Sequence, residues 1–294
     1  MQPTTKTTVQ EVTIRRARPE DAEVCGRICY DAFSGVNAAH NFPCDFASVE
    51  AATGLLTRIF SSPAFYAVVA EVDGRIVGSN VVTEDSIIAG IGPITVDTAV
   101  QNSRVGRKLM EAVMARANER GAAGARLVQA AFHNRSLSLY SSLGFDVREP
   151  LSCMQGPPMK QTFAGCTVRP AQTSDLESCN ALARRVHGFH RGGELEHAIQ
   201  NGTARVVERS GHVTGYTTHL GFFGHATADS NLDLQALIAG AESLAGPGIL
   251  VPSRNSVLVR WCLAKNLRVV QPMTLMTIGL YNEPAGAWLA SILY

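Results

Sequence analysis

The sequence lacks three features, and each absence excludes a class of protein or site. No uninterrupted apolar stretch reaches the roughly 20 residues of a membrane-spanning helix, so no membrane partner is expected. No basic run stands out and the formal net charge is +1, which argues against a nucleic-acid surface. No C-x-x-C pair occurs among the seven cysteines, so the commonest metal-binding spacing is missing.

The cysteines that are present favour a reducing compartment. Their number is odd and their spacing is scattered. Cys25 and Cys29 are one helical turn apart, which is more typical of two buried thiols than of a metal site. We therefore expect no metal and a cytoplasmic location. The first eleven residues are polar and threonine-rich, which predicts a frayed start rather than a secretory signal.

Composition and periodicity predict an α/β fold. Apolar residues make up 46% of the 294 residues and charged residues 17%, as in a well-buried globular protein. The first half has the order β-α-α-β-β-β-α-β-α-β, an α/β sandwich around a mixed, mainly antiparallel sheet flanked by helices. Strands are predicted at 12–16, 65–72, 75–83 and 125–132, with a last one after Phe145, and a further strand at about 86–96 is interrupted by Gly90 and Gly92. Helices are predicted from about 19, at 48–60, at 105–120 and at 135–143.

The second half repeats the first. Residues 167–171, TVRPA, echo residues 13–17, TIRRA, and residues 251–272 match residues 129–150. A segment that predicts a linker, 150–162, lies between the halves. We interpret the pattern as an internal duplication, with domains at 12–155 and 165–294.

A loop between strand and helix predicts an anion site in the first half. Residues 101–106, QNSRVG, follow an apolar strand and open a helix whose first N–H groups have no partner within it. Gly106 lets the main chain come close to a phosphate, although Arg104 carries a long side chain two residues earlier. The corresponding segment of the second half, residues 221–241, has no glycine-bearing loop there. The two halves are therefore not equivalent.

Two motifs in this order and spacing point to a family. Residues 101–106 match the pattern Arg/Gln-x-x-Gly/Ala-x-Gly/Ala, and residues 139–145, LYSSLGF, are close to Leu-Tyr-x-x-x-Gly-Phe. Through them the first half resembles the GNAT superfamily of N-acetyltransferases over nearly its whole length. The second half resembles a degenerate GNAT domain, so the chain resembles the tandem members of the superfamily.

The resemblance implies that the anion is coenzyme A. Its pyrophosphate would lie on the N–H groups of residues 102–107, and its pantetheine arm would pair with Thr95 and Val96. Arg104 departs from the family's small residue, and charge-assisted bonds to the pyrophosphate can compensate, so we expect retained but weakened binding. The implied cofactor-binding residues are Thr95, Val96, Gln101, Asn102, Ser103, Arg104, Val105, Gly106, Arg107, Asn134 and Tyr140.

The resemblance also implies that Tyr140 is the general acid that protonates the departing thiolate. The alternative for Tyr140 is a packed aromatic side chain of an amphipathic helix. Cys262 stands at this position in the second half, which favours a silent second copy. His133 occupies the spacing of a cofactor-contacting asparagine in the family, and Asn134 follows it. Either residue could cap the helix, and Asn134 is the better N-cap by chemistry.

The general base is not evident from the sequence. Many family members have a glutamate on the fourth strand, where Gly90 stands here. His40 is a candidate for the base or for an acceptor contact, because its loop, residues 36–46, would face the acceptor. A water chain to solvent could also remove the proton from the amine. Phe42 and Glu84 are further candidates for acceptor binding.

The resemblance as a whole implies an acetyl-CoA-dependent N-acetyltransferase that acts on the amine of a small molecule by direct attack. The alternative is a non-catalytic acyl-CoA-binding or interaction protein, in which Arg104 marks decay of the first half. One coenzyme A is expected per chain. We expect the second half to form a wall or lid of the acceptor cleft, or a dimer surface, which leaves a homodimer open.

Overall fold

The computed structural model describes residues 11–100 and 104–293, which fold as two halves with a similar order of elements. The strands of the first half are β1 (Val12–Arg16), β2 (Phe65–Val72), β3 (Arg75–Thr83), β4 (Ile88–Gly90), β5 (Thr95–Val96), β6 (Gly124–Ala130) and β7 (Asp146–Gln155). Its helices are α1 (Ala22–Ala39), α2 (Val49–Ser61), α3 (Val105–Glu119) and α4 (Asn134–Ser142).

The second half follows the same plan and adds a strand at its end. Its strands are β8 (Cys166–Pro170), β9 (Arg205–Arg209), β10 (His212–Thr217), β11 (Ala226–Ala228), β12 (Ile249–Pro252), β13 (Arg268–Gly279) and β14 (Ala287–Leu289). Its helices are α5 (Leu176–His187), α6 (Gly192–Gln200), α7 (Asn231–Ala239) and α8 (Ser256–Ala264).

An ion pair at the start of each half supports the duplication. Arg15 donates two hydrogen bonds to Asp21, at 2.7 and 2.9 Å. Arg169 donates two to Asp175, at 2.7 and 2.8 Å. Both pairs are six residues apart, and both carboxylates also accept the backbone N–H three residues before them, at 2.8 Å. The repeated sequence pattern therefore corresponds to repeated structure.

The four-stranded sheet β1-β2-β3-β5 of the first half lies between two layers of helices, as the α/β expectation requires. Alternate residues of β2 face opposite ways: Val68 and Ala70 pack with α3, whereas Ala67 and Val69 pack with α1 and α2. Because successive side chains of a strand point to opposite faces of the sheet, β2 contributes apolar side chains to the core on both sides. The expected fold class is confirmed.

The strand expected at 86–96, interrupted by Gly90 and Gly92, is divided into β4 and β5, because Gly92 has a left-handed φ of 136° and Pro93 has no N–H to donate to a ladder. One expectation about local structure is wrong. The linker expected at 150–162 begins only after Gln155, since β7 continues through Pro150 to that residue.

The last long strands of the two halves are exchanged. One sheet has the order β12-β7-β13-β6-β4, so β13 of the second half lies between β6 and β7 of the first. The strand β7 in turn lies between β13 and β12, both of the second half. The halves are therefore joined by continuous backbone hydrogen bonding. In the described part of the chain no helix has the length and hydrophobicity to cross a membrane.

Candidate active site

A cleft opens where β5 and β6 separate. The strand β5 pairs with β3 through Thr95 and Val96, and β6 pairs instead with β4 and β13. Among the described residues no strand fills the gap between β5 and β6. The gap is part of a cleft of about 460 Å³ that is lined by both strands and by the start of α3.

The start of α3 offers backbone donors to this cleft. The first intrahelical bond runs from the N–H of Lys108 to the carbonyl of Arg104, at 3.1 Å. The N–H groups of Val105, Gly106 and Arg107 therefore have no partner within the helix, and the helix dipole favours an anion beside them. Residues 104–107 all line the cleft. The predicted ligands Gln101, Asn102 and Ser103 lie outside the described residues.

Gly106 is not required by the packing of the protein itself. A Cβ on Gly106 would meet Leu139 at 3.5 Å and Val96 at 3.8 Å, which are ordinary contact distances, and its φ is not left-handed. A helix is also less stable with glycine in its first turns than with alanine. The glycine therefore leaves space beside the main chain of α3, which is compatible with close approach of a phosphate group.

Arg104 holds an unusual backbone conformation at the N-cap of α3. Its φ is 64° and its ψ is 7°, in the left-handed region that glycine adopts far more readily. The backbone at this position therefore favours glycine, which is one of the residues in the family pattern here. Nearby, Arg107 bonds Ser142 at 2.7 Å, and Lys108 bonds the carbonyl of Val12 at 2.9 Å. Lys108 is thus committed to β1 rather than to the cleft.

Tyr140 lies in the wall of the same cleft. It is on α4, which follows β6, and its ring packs edge-on against Phe145 with the centroids 6.4 Å apart. The side chain is buried, and this desolvation raises the pKa of the phenol above its ordinary value. Tyr140 therefore keeps its proton at neutral pH, as a proton donor must.

The first turn of α4 differs from the expectation. The N-cap is His133, whose side chain makes no capping bond, and Asn134 is the first helical residue. The expectation that Asn134 is the N-cap is therefore wrong. Asn134 is exposed, whereas His133, Arg135 and Ser136 line the cleft. Burial and the nearby Arg135 lower the pKa of His133, so its imidazole is neutral near pH 7.

The three predicted acceptor residues lie outside the lining of the cleft. His40 bonds the carbonyl of Val36 at 2.8 Å and packs on Phe132, and Phe42 stacks on the same ring with centroids 4.3 Å apart. Glu84 forms an ion pair with Arg116 at 2.7 Å. Their roles in acceptor binding stay predictions. The positions of their side chains outside the cleft do not favour these roles.

The loop expected to face the acceptor contributes other residues to the lining, and this part of the cleft is called the acceptor end below. Asp45 and Phe46, from the loop that contains His40, line it together with Asn37 of α1. The second half contributes the lining residues Phe222, Phe223, Met273, Ile292 and Leu293. The sequence identified the loop, but no local pattern indicates which of its side chains turn inward, and none indicates that the second half closes the cleft.

The match to a family model coincides with this site. Residues 63–147 match the model described as an acetyltransferase (GNAT) domain, which spans β2 to the start of β7 and includes Thr95, Gly106 and Tyr140. The chain contains a GNAT domain. Members of this family use acetyl-CoA as the acyl donor and act on amines of small molecules or of proteins. The expected cofactor class is thereby confirmed, and the open N–H groups and the spare volume at Gly106 fit it.

Solved structures with the same overall fold include two of nearly full length. A protein of Pyrococcus horikoshii assigned as an acetyltransferase is 18% identical, with a TM-score of 0.73 and 97% of each chain covered. A GCN5-related N-acetyltransferase from Sphaerobacter thermophilus is 14% identical, with a TM-score of 0.62 and coverage of 92% of this chain and 96% of that one. At these identities the likeness shows the fold alone. No curated protein matches the sequence.

A shorter structure also matches. The PaiA N-acetyltransferase of Thermoplasma acidophilum, solved in complex with coenzyme A, is 16% identical with a TM-score of 0.41. The match covers 47% of this chain and 92% of that chain.

The corresponding gap in the second half of the chain is filled. The strand β14 pairs with β11, and Ala290 directly after it bridges to Leu250 of β12. The start of α7 is also occupied, because the side chain of Ser230 accepts the N–H of Asp233. Asp233 adds a buried carboxylate in that first turn, which would repel a phosphate. The second half thus offers neither an open gap nor a free helix start.

Proposed function

We propose that the protein is an acetyl-CoA-dependent N-acetyltransferase that moves an acetyl group to the amine of a small molecule by direct attack. One observation carries the proposal. The buried phenol of Tyr140 and the open start of α3 line one continuous cleft, together with Thr95 and Val96 of β5, which pairs with β3 on one edge only. An anion-binding element and a proton donor therefore face the same space.

In this proposal different residues of the chain bind the cofactor, orient it and donate the proton. Acetyl-CoA supplies the acetyl group as a thioester. The N–H groups of Val105, Gly106 and Arg107 bind the phosphates, and Arg104 adds a positive charge at the same end of the cleft. The free edge of β5 orients the pantetheine arm. Tyr140 holds a proton on its Oη atom and donates it to the departing sulfur after the amine nitrogen has attacked the carbonyl carbon. The nitrogen gives up its proton to water, and Tyr140 regains one from the same solvent.

The acceptor and the location are parts of the same proposal. The second half closes one wall of the cleft, which favours a small molecule over a protein tail. All seven cysteines lie in the described residues and are free thiols, which supports a reducing cytoplasmic compartment.

Two measurements test the proposal. Isothermal titration with coenzyme A measures binding, and release of free thiol from acetyl-CoA over a panel of amines measures turnover. We expect binding together with amine-dependent turnover. Binding without turnover of any amine would support a non-catalytic acyl-CoA-binding protein, and absence of binding would contradict both readings.

A further inference from the structure

Asp45 places an isolated carboxylate in the acceptor end of the cleft. It lies in the loop between α1 and α2, residues 40–48, and its side chain lines the cleft. Among the described residues Asp45 is the only acidic side chain in that lining, and it takes part in no ion pair. The arginines that line the cleft come instead from the starts of α3 and α4. The cleft therefore has arginines at the end where the phosphates are expected to bind, and it has one carboxylate, that of Asp45, in the loop between α1 and α2.

The second half fixes the position of this carboxylate. The buried side chain of Gln271 on the exchanged strand β13 donates a hydrogen bond from Nε2 to Oδ1 of Asp45, at 2.8 Å. This bond joins residues that are 226 positions apart in the sequence. A neutral amide donor orients the carboxylate without neutralising its charge. Burial raises the pKa of Asp45, and the hydrogen bond from Gln271 and a weaker interaction with Asn37 oppose that rise.

The surroundings of Asp45 are apolar. Phe33, Phe46 and Leu55 line the cleft from the first half, and Phe222 and Met273 line it from the second. A carboxylate among such groups is costly to desolvate unless a cation pairs with it. The described residues supply no such cation, so a ligand that brings one would gain a charge-assisted bond.

We propose that Asp45 binds the ammonium group of the acceptor, and that the acceptor is a primary amine on an apolar aromatic or branched aliphatic body. The proposal rests on the proposed function for the fate of that amine, but the binding itself does not depend on turnover. Asp45 captures the amine in its charged form, before the nitrogen loses a proton and attacks. Polyamines and amino sugars fit this end poorly, because the apolar wall leaves their further cations or hydroxyl groups without partners.

The test compares the affinities of three ligands with the same phenylethyl body for the full chain saturated with coenzyme A. The probes are 2-phenylethylamine, its tertiary N,N-dimethyl derivative and the neutral 2-phenylethanol. Hydrogen bonds to a charged group contribute about 1.5–3 kcal/mol, so Asp45→Asn should weaken calorimetric binding of both amines by about ten- to hundredfold. Binding of the alcohol should not change. Asp45→Glu should restore part of the loss, and Gln271→Leu should weaken amine binding by a smaller factor.

A matched control removes the same charge elsewhere. Asp31 is exposed on α1, and Asp31→Asn should leave all three affinities unchanged. Equal losses for amine and alcohol in Asp45→Asn, or no loss for either amine, would overturn the proposal. Tighter binding of spermidine or glucosamine than of 2-phenylethylamine would also overturn it. Charge-dependent binding without acetylation would contradict the proposed function and leave this inference standing.

Discussion

The backbone carbonyl oxygen of Leu293 lies against Gly90, in the space that a Cβ at residue 90 would occupy. The chain that follows β14 therefore crosses β4 of the first half on its way to the cleft, which Ile292 and Leu293 help to line. Family resemblance leads to the expectation of a glutamate near this position. The contact gives a physical reason for glycine instead, because any side chain would displace the C-terminal segment.

Replacement of Gly90 by alanine should destabilise the protein. The added Cβ would overlap backbone atoms, which cannot move as a flexible side chain can, so we expect a loss of about 1–3 kcal/mol in the free energy of unfolding. Thermal unfolding of the two proteins measures the effect. Gly35→Ala is the control, because a Cβ there meets nothing within 4 Å and alanine favours the helix. Equal unfolding midpoints for Gly90→Ala and the parent would contradict the contact.

Replacement of Gly106 by alanine should separate binding from stability. The protein has room for the methyl group, and alanine in a helix gains about 0.5–1 kcal/mol over glycine. If the methyl displaces a phosphate from the N–H groups of α3, the lost charge-assisted bonds should weaken coenzyme A binding by about tenfold or more. Titration calorimetry and thermal unfolding measure the two quantities. Gly54→Ala in α2 is the control, and it should leave the affinity unchanged.

One coenzyme A should bind per chain. The second half lacks an open site, because β14 fills its gap and Ser230 and Asp233 occupy the start of α7. Titration calorimetry should therefore give a stoichiometry of one, and Gly106→Ala should weaken that single event. A stoichiometry of two would contradict this prediction.

The two repeated ion pairs should respond alike to acid. Their arginines lower the pKa of Asp21 and of Asp175 below the ordinary value of 3.8. A lowered pKa in the folded state means that this stabilisation is present above about pH 4 and is lost as the pH falls through the folded value. Asp21→Asn and Asp175→Asn should each cost about 1–3 kcal/mol at pH 7 and reduce the loss below pH 4. Unequal effects in urea unfolding would argue against equivalent roles.

Local structure was predictable where the local pattern is strong. The bounds of β2 and β3 agree with the prediction, because apolar runs flank the turn residues Asp73 and Gly74. The positions of α3 and Tyr140 also followed from short motifs. These features depend on neighbours in the sequence, so the sequence alone carries enough information to place them.

The exchange of β7 and β13 was not predictable in this way. Both strands have similar apolar patterns, and nothing in either pattern specifies whether it pairs with its own half or the other. The acceptor wall depends on that choice, since Gln271 reaches Asp45 only because β13 is exchanged. The course of the loop between α1 and α2 likewise decides that Asp45, rather than His40, lines the cleft. Such features are set by long-range pairing, which a single sequence does not reveal.

Replacement of Tyr140 by phenylalanine should slow turnover and leave cofactor binding unchanged. The ring packing with Phe145 is retained, and only the proton donor is removed. General acid catalysis contributes about a hundred- to ten-thousandfold in rate, so kcat should fall within that range. Because burial raises the pKa of Tyr140, the parent rate should show no decline from phenol ionisation up to about pH 10.

The loss of rate in Tyr140→Phe should be smaller with an acyl donor whose thiol is more acidic, since that thiolate leaves with less help. Steady-state rates with two donors and calorimetry with coenzyme A measure these effects. Parent-like rates with both donors would leave Tyr140 as a packed aromatic and assign the proton to another source.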